Sequence, residues 1–251
     1  MSWRCIIINF FNIIVTSLLI LAAAVVHGVA GFGFPLIVVP VLSMLTGDIK
    51  TVVPFVAANC FIIDLFILFN MKKHVEVRSI LPLIISGIIG IPFGLYILTT
   101  INVKLLKIAV GVIIVFFGLA MLKGLSIKVR NENRALAFTG FFSGLLNSSL
   151  SLGRPPVALF FSNQNIGKDK FIANLAIYAG ILDFISIVLF LWRGLINKQG
   201  VENILEFLPM LIIGLFIGKR LSSRVSQKVF RGIVIAIIVS MGMYTFLSAL
   251  I

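Results

Sequence analysis

Apolar residues dominate the chain from Cys5 onward, and short polar or glycine- and proline-bearing interruptions divide them into ten segments. These are 5–26, 34–45, 51–69, 79–98, 104–122, 135–146, 155–161, 171–192, 204–218 and 229–250. A full membrane crossing needs about 20 predominantly apolar residues. Most segments approach that length, so the pattern predicts an all-α, polytopic membrane protein. The second, sixth and seventh segments are short, and each borders a break. The first break, 27–40, carries Gly28, Gly31, Gly33 and Pro35. The second, 147–156, carries Asn147, Ser148, Ser149, Ser151, Gly153 and two prolines. Glycine loosens helical backbone, and proline removes a donor and crowds the preceding turn. Non-helical backbone in lipid is tolerated only inside protein or beside a water-filled cavity. Paired breaks in two halves of a chain point to a transporter binding site.

The halves repeat. A shift of 120 residues superimposes Gly33 on Gly153 and Pro35 on Pro155; a shift of 124 superimposes Gly90 on Gly214 and Gly94 on Gly218. The expected organisation is a first membrane repeat over 1–124, a basic cytoplasmic linker over 125–134 and a second repeat over 135–251. Charge then bears on how the breaks are built. If each break lies within a crossing helix, giving eight crossings, the loop cations divide evenly. If each break is the tip of a hairpin, 14 of the 21 basic residues fall on one side, as the positive-inside rule requires. Five segments per repeat then make the repeats inverted, with glycine-rich broken helices or hairpins near the midplane and both termini outside.

Composition agrees: 60% of residues are hydrophobic and 12% charged, against about 25% charged in soluble domains. The net charge of +13 resides mostly in short loops and forms no continuous stripe, which argues against a nucleic-acid partner. Cys5 and Cys60 lie in apolar segments and read as small buried hydrophobes. The first apolar run is longer than the core of a secretory leader and is read as a membrane span.

The candidate chemistry sits at the breaks and in segments three and eight. Arg154 is an ionisable residue inside an apolar region, a functional candidate by default. A guanidinium matches the oxygens of carboxylate, sulfonate or phosphate, and the helix starting at Pro155 would add its positive end. The alternative is snorkelling or pairing with an internal carboxylate. Asn147, Ser148 and Ser149 either bond substrate oxygens or satisfy freed backbone. Gly31, Gly33 and Gly153 would let the backbone approach substrate. Asn59 and Tyr178 either face the cavity or join helices. Asp64, Asp183 and His27 are candidates for proton coupling, against structural pairing and packing. There is no metal-ligand spacing, no cofactor motif and no catalytic signature, so an enzyme is not expected.

Gly31-Phe-Gly-Phe-Pro-Leu-Ile-Val-Val-Pro-Val-Leu resembles the first glycine-rich motif of the sulfite exporter TauE/SafE family. Gly140-Phe-Phe-Ser-Gly-Leu-Leu, with Leu152-Gly-Arg-Pro-Pro-Val-Ala-Leu, is similar to its second motif. The resemblance implies transport of a small sulfur-containing or organic anion, such as sulfite or a sulfonate, across a bacterial-type plasma membrane. The family usually carries glycine where this chain has Ala30, Ser149 and Arg154. The reading is a secondary transporter for a small anion, with a passive anion channel as the alternative. Its partners would be the anion and the lipid bilayer, with a homodimer left open.

Overall fold

The computed structural model describes residues 3–122, 132–162 and 167–222. Nine α-helices and one 3-10 turn, Lys72–His74, account for nearly all of them: α1 (Trp3–Ala30), α2 (Phe34–Thr46), α3 (Ile49–Met71), α4 (Val77–Thr100), α5 (Val103–Leu122), α6 (Glu132–Leu150), α7 (Arg154–Ser162), α8 (Lys168–Trp192) and α9 (Lys198–Ser222). Among the described residues there is no strand, and six helices are long and apolar enough to cross a membrane. The segment 229–250 and most of the linker lie outside the described residues; α6 begins at Glu132, within the expected linker.

Both breaks are shorter than the sequence suggests. Helix α1 runs to Ala30 and α6 to Leu150, leaving only 31–33 and 151–153 non-helical. Pro35 is tolerated because it falls in the first turn of α2, where its missing N–H has no helical partner anyway. Pro155 and Pro156 do the same in α7. Gly31 (φ 80°) and Gly33 (φ 116°) adopt left-handed backbone, and so does Ser151 (φ 56°), a conformation uncommon for residues with a side chain. The Ser151 hydroxyl donates to the Val53 carbonyl (3.0 Å), which ties that turn to α3.

Helix packing fixes which ends lie together. Gly28 of α1 abuts Gly218 of α9, and Gly214 abuts Leu21 and Ala24. Contacts advance in the same sense along both helices, so α1 and α9 run parallel. Gly90 and Gly94 of α4 abut Leu145 and Ser148 of α6, and Gly144 abuts Gly87; α4 and α6 are parallel too. These small-residue contacts let backbones approach closely, the usual device for joining helices in lipid. Helices α3 and α8 pack antiparallel between the two pairs. Lys170 near the start of α8 pairs with Glu76 just before α4 (2.6 Å), and Lys219 near the end of α9 bonds Asn70 near the end of α3 (2.8 Å). The loops at 72–76 and 168–170 and the end of α9 thus share one end of the molecule, here the basic end. Helix α1 points toward that end, and α2 runs back to the opposite one.

The exterior is apolar where lipid would lie. Leu81, Ile85, Ile89 and Phe93 of α4 are each about half exposed, one turn apart on a single face. The interior holds two apolar clusters and, between them, a group of buried charges.

Candidate functional site

Arg154 is the first residue of α7. It follows Gly153, whose carbonyl accepts a short hydrogen bond from Ser143 of α6. A Cβ on Gly153 would meet the Asn147 side chain (2.7 Å) and the Ser143 carbonyl (2.7 Å), so only glycine lets the break fold this closely onto α6. From this position the Arg154 side chain reaches the middle of the bundle, where it is 3% exposed. Its Nη2 donates to Asp64 Oδ2 (2.6 Å) and Asp183 Oδ2 (3.1 Å). Its Nη1 meets His27 Nε2 (3.1 Å). Asn147 Nδ2 donates to the other Asp183 oxygen (2.8 Å).

Five residues from five helices therefore form one buried cluster: His27 (α1), Asp64 (α3), Asn147 (α6), Arg154 (α7) and Asp183 (α8). One guanidinium faces two carboxylates, so with both ionised and His27 neutral the group carries one net negative charge. One buried polar atom in it, Asp64 Oδ1, has no hydrogen-bond partner among the described residues, and His27 has the Gly31 backbone beside its ring. A buried charge and a buried unpaired polar atom are both costly, so the cluster is poised to gain something positive or hydrogen-bonding. The guanidinium spends one nitrogen on both carboxylates and forms no two-pronged pair with either.

Other candidates lie elsewhere. Ser148 Oγ bonds the Ile91 carbonyl of α4 (2.7 Å), and Ser149 Oγ bonds the Leu145 carbonyl of its own helix (2.7 Å). Asn59 Nδ2 bonds the Phe55 carbonyl one turn back (2.8 Å). Tyr178 Oη lies 3.4 Å from the Gly140 carbonyl, at the junction of α8 with α6. None of the four has a hydrogen bond to the Arg154 cluster. Gly31 packs against Ile172 of α8, and Gly33 against Val26. Ser143 was not singled out from sequence, although its place one turn before Asn147 on the same face of α6 was a usable signal. Cys60, one turn before Asp64, is buried beside the cluster; its apolar context masked that position. The backbone donors of α7 are also fewer than a helix start suggests. Pro155 and Pro156 have no N–H, leaving only Gly153 and Arg154 to offer one there.

A cavity of about 200 Å³ runs between α1, α3, α8 and α9 from the basic end to His27 and Gly31. Among the described residues no group of His, Cys, Asp and Glu is arranged to hold a metal ion.

The family model described as Sulfite exporter TauE/SafE matches residues 16–245, nearly the whole chain. The chain belongs to the TauE/SafE family. It is accordingly a multi-pass membrane protein of a transporter family, and the fold of apolar helices around a polar centre is what such a role requires. No curated protein and no solved structure matches it. Within this TauE/SafE chain, the cluster joins both glycine-bearing breaks: His27 lies in the last turn of α1 before the first, and Arg154 immediately follows the second.

Proposed function

We propose that this TauE/SafE protein is a proton-coupled secondary transporter of a small anion, built from two inverted repeats. The observation that carries the reading is Arg154, a permanent cation buried at the start of a broken helix and held by carboxylates from α3 and α8. Anion and carboxylate compete for the same guanidinium. A proton taken up by Asp64 or Asp183 weakens that aspartate's hold on Arg154, and an oxyanion then takes its place. Anion and proton would thus be carried together, and the pair would cross with less net charge than the anion alone.

Several contacts support the inverted repeat. Gly28 against Gly218 corresponds to Ser148 against Gly94, and Gly214 against Leu21 corresponds to Gly90 against Phe141, at the sequence shifts of 120 and 124. Gly31 against Ile172 corresponds to Ser151 against Val53. Helix α3 would be the counterpart of α8, and their antiparallel packing is what an axis in the membrane plane produces. Helices α2 and α7, about 20 and 14 Å long at 1.5 Å per residue, are too short to cross a core of about 30 Å. Each is long enough for the returning arm of a hairpin, and α2 runs back from the end toward which α1 points.

The test is flux in proteoliposomes. Sulfite, alkyl sulfonates and carboxylates are offered with and without an inward proton gradient. Saturable accumulation driven by the gradient is expected for at least one. Arg154→Lys keeps a charge between the aspartates but loses the His27 contact, and should reduce that flux about tenfold. Asp64→Asn and Asp183→Asn should flatten its pH dependence while binding persists. Flux that neither saturates nor accumulates would instead describe a passive channel.

A further inference from the structure

The buried cluster holds three groups able to take up a proton, and their surroundings are not equivalent. Both oxygens of Asp183 are engaged: Oδ1 accepts from Asn147 (2.8 Å) and Oδ2 from Arg154 (3.1 Å). Asp64 has only the Arg154 contact, at Oδ2 (2.6 Å), and its Oδ1, fully buried, has no hydrogen-bond partner among the described residues. The shorter contact alone would favour a charged Asp64. The bare oxygen acts the other way, because burying an ionised acceptor without a donor is costly, and a donor to a carboxylate favours its charged form. His27 is excluded by its contacts. Arg154 carries donors only, so His27 Nε2 accepts from Nη1 (3.1 Å). The ring hydrogen sits on Nδ1, with the Gly31 backbone as its partner. A second ring proton would have to displace the guanidinium.

The asymmetry has a source in the repeat. At the shift of 120 residues His27 falls on Asn147, and Asp64 lies one residue out of register with Asp183. His27 and Asn147 each stand three residues before the end of the helix that leads into a break. Asn147 turns to its aspartate, whereas His27 turns to Arg154, so Asp64 lacks the donor that Asp183 has.

Access separates the two aspartates as well. Helix α3 ends and α8 begins at the basic end. Asp64 packs level with Gly180, where a Cβ would lie 3.3 Å from the Asp64 Cβ. Asp183, three residues further along α8, is about 4.5 Å deeper at 1.5 Å per residue. The cavity from the basic end is lined on α3 by Ile67, one turn from Asp64; on α8 it stops at Ile172, about three turns short of Asp183. The charged and titratable groups facing Asp64 are Arg154 from α7 and Asp183 from α8, with Cys60 a turn away on α3 and His27 of α1 behind the guanidinium. Tyr178 of α8 faces α6 instead. Helix α2 carries no such group, and those of α5, α6 and α9 lie toward the ends of their helices.

The geometry points to Asp64 as the group that takes up the proton, with Asn147 as a positioning residue that keeps Asp183 ionised. A proton from hydronium in the cavity adds to Asp64 Oδ1 and leaves a neutral carboxyl. Arg154 then has one ionised partner, Asp183, and the excess negative charge of the cluster is gone. Asp183 anchors the guanidinium while Asp64 loads and unloads. Asp183→Asn still flattens the pH dependence, because it removes the excess charge that draws the proton. The inference rests on the reading of the chain as a proton-coupled anion transporter.

The two carboxylates share one guanidinium, so their protons come off in steps that belong to the pair, and the test needs a site-resolved probe. The full-length protein in lipid nanodiscs is labelled with carbon-13 at the aspartate carboxyls. The chain has four aspartates, Asp48, Asp64, Asp169 and Asp183, and single substitutions to asparagine assign their resonances. On acidification Asp64 should take up its proton first, at a proton concentration about tenfold or more below that which protonates Asp183. Asn147→Leu strips Asp183 of its donor and leaves it the longer contact with Arg154, so the order should reverse. Asn147→Gln, which keeps a donor, should preserve it. A residue that merely held the helices together would change the melting temperature and not the order. If Asn147→Leu does not fold, the parent titration decides alone. Asp183 protonating first or together with Asp64, or neither protonating before the protein unfolds, overturns the assignment. A folded Asn147→Leu protein with the parent's order overturns the role of Asn147. Flux in proteoliposomes from the same preparation separates this inference from the transporter reading. Gradient-driven flux with Asp183 protonating first sinks only the assignment to Asp64. Asp64 protonating first, with no gradient-driven flux of any anion, sinks the transporter reading and leaves Asp64 as the proton site of the cluster.

Discussion

At the scale of single residues, the charge imbalance around Arg154 governs what substitution will do. Removing the cation leaves Asp64 and Asp183 buried on facing helices without a partner, and such a loss costs about 3–5 kcal/mol. Asp64→Asn alone is milder, because Arg154 and Asp183 remain as an equal pair. Arg154→Gly should therefore lower the melting temperature more than Asp64→Asn. The double variant Arg154→Gly/Asp64→Asn should recover part of that loss, since only one carboxylate is then uncompensated and Asn147 still bonds it. Thermal unfolding of the three proteins in one detergent checks the order. A double variant melting below Arg154→Gly would mean that Asp64 is not destabilised by loss of the cation. Sequence made much of this cluster legible: Arg154, Asp64, Asp183, His27 and Asn147 were all singled out. That they meet was not legible, because it depends on where α3 and α8 cross α7. Ser148, Ser149 and Asn59 looked equivalent in sequence to the cluster residues, yet their hydrogen bonds go to backbone carbonyls, and Tyr178 bonds the Gly140 carbonyl and the Ser143 side chain. A polar residue in an apolar helix has the same signature in either role.

At the scale of the helix, small residues decide how closely the pairs pack. A Cβ on Gly90 would run into the Phe141 carbonyl, and one on Gly214 would meet the Leu21 carbonyl at 2.6 Å. Both obstacles are backbone, which has little room to yield. Gly167 has nothing within 4 Å of such an atom. Gly90→Ala and Gly214→Ala should each destabilise by about 1–3 kcal/mol, the range for overpacking. Gly167→Ala should stay within about 0.5 kcal/mol. Denaturation in mixed micelles measures all three; a harmless Gly214→Ala beside a damaging Gly90→Ala would break the correspondence between the helix pairs. Helix positions were read well from hydropathy, usually to within a few residues at each end. Helix α9 begins six residues before its expected start, because Lys198, Gln199 and Glu202 form a polar first turns' surface that hydropathy does not register. The breaks were overdrawn for a related reason. Glycine, serine and proline suit both loops and helix ends, and only the φ angles at 31, 33 and 151 show where the helices stop.

At the scale of the whole molecule, the two topologies make opposite statements about which loops share a compartment. Eight full crossings place His74 and Asp169 on opposite sides of the membrane; hairpins at the two breaks place them on the same side. The ion pair between Lys170 and Glu76 and the bond between Lys219 and Asn70 support the second arrangement. They bring Lys72, Lys73, Lys170 and Lys219 to one end, which the positive-inside rule assigns to the cytoplasm. The cavity that ends at His27 opens at that same end. Single cysteines at His74, Asp169 and Gln199, in a protein with Cys5 and Cys60 replaced by alanine, test the arrangement with a membrane-impermeant thiol reagent. His74→Cys and Asp169→Cys should react only in inside-out vesicles. Gln199→Cys, in the first turn of α9 at the opposite end, should react only in right-side-out ones. Should His74→Cys and Asp169→Cys label from opposite sides, the hairpins are wrong, and with them the inverted relation of the repeats. If the labelling pattern is intact but reversed, the repeats stand, and the cavity opens outward.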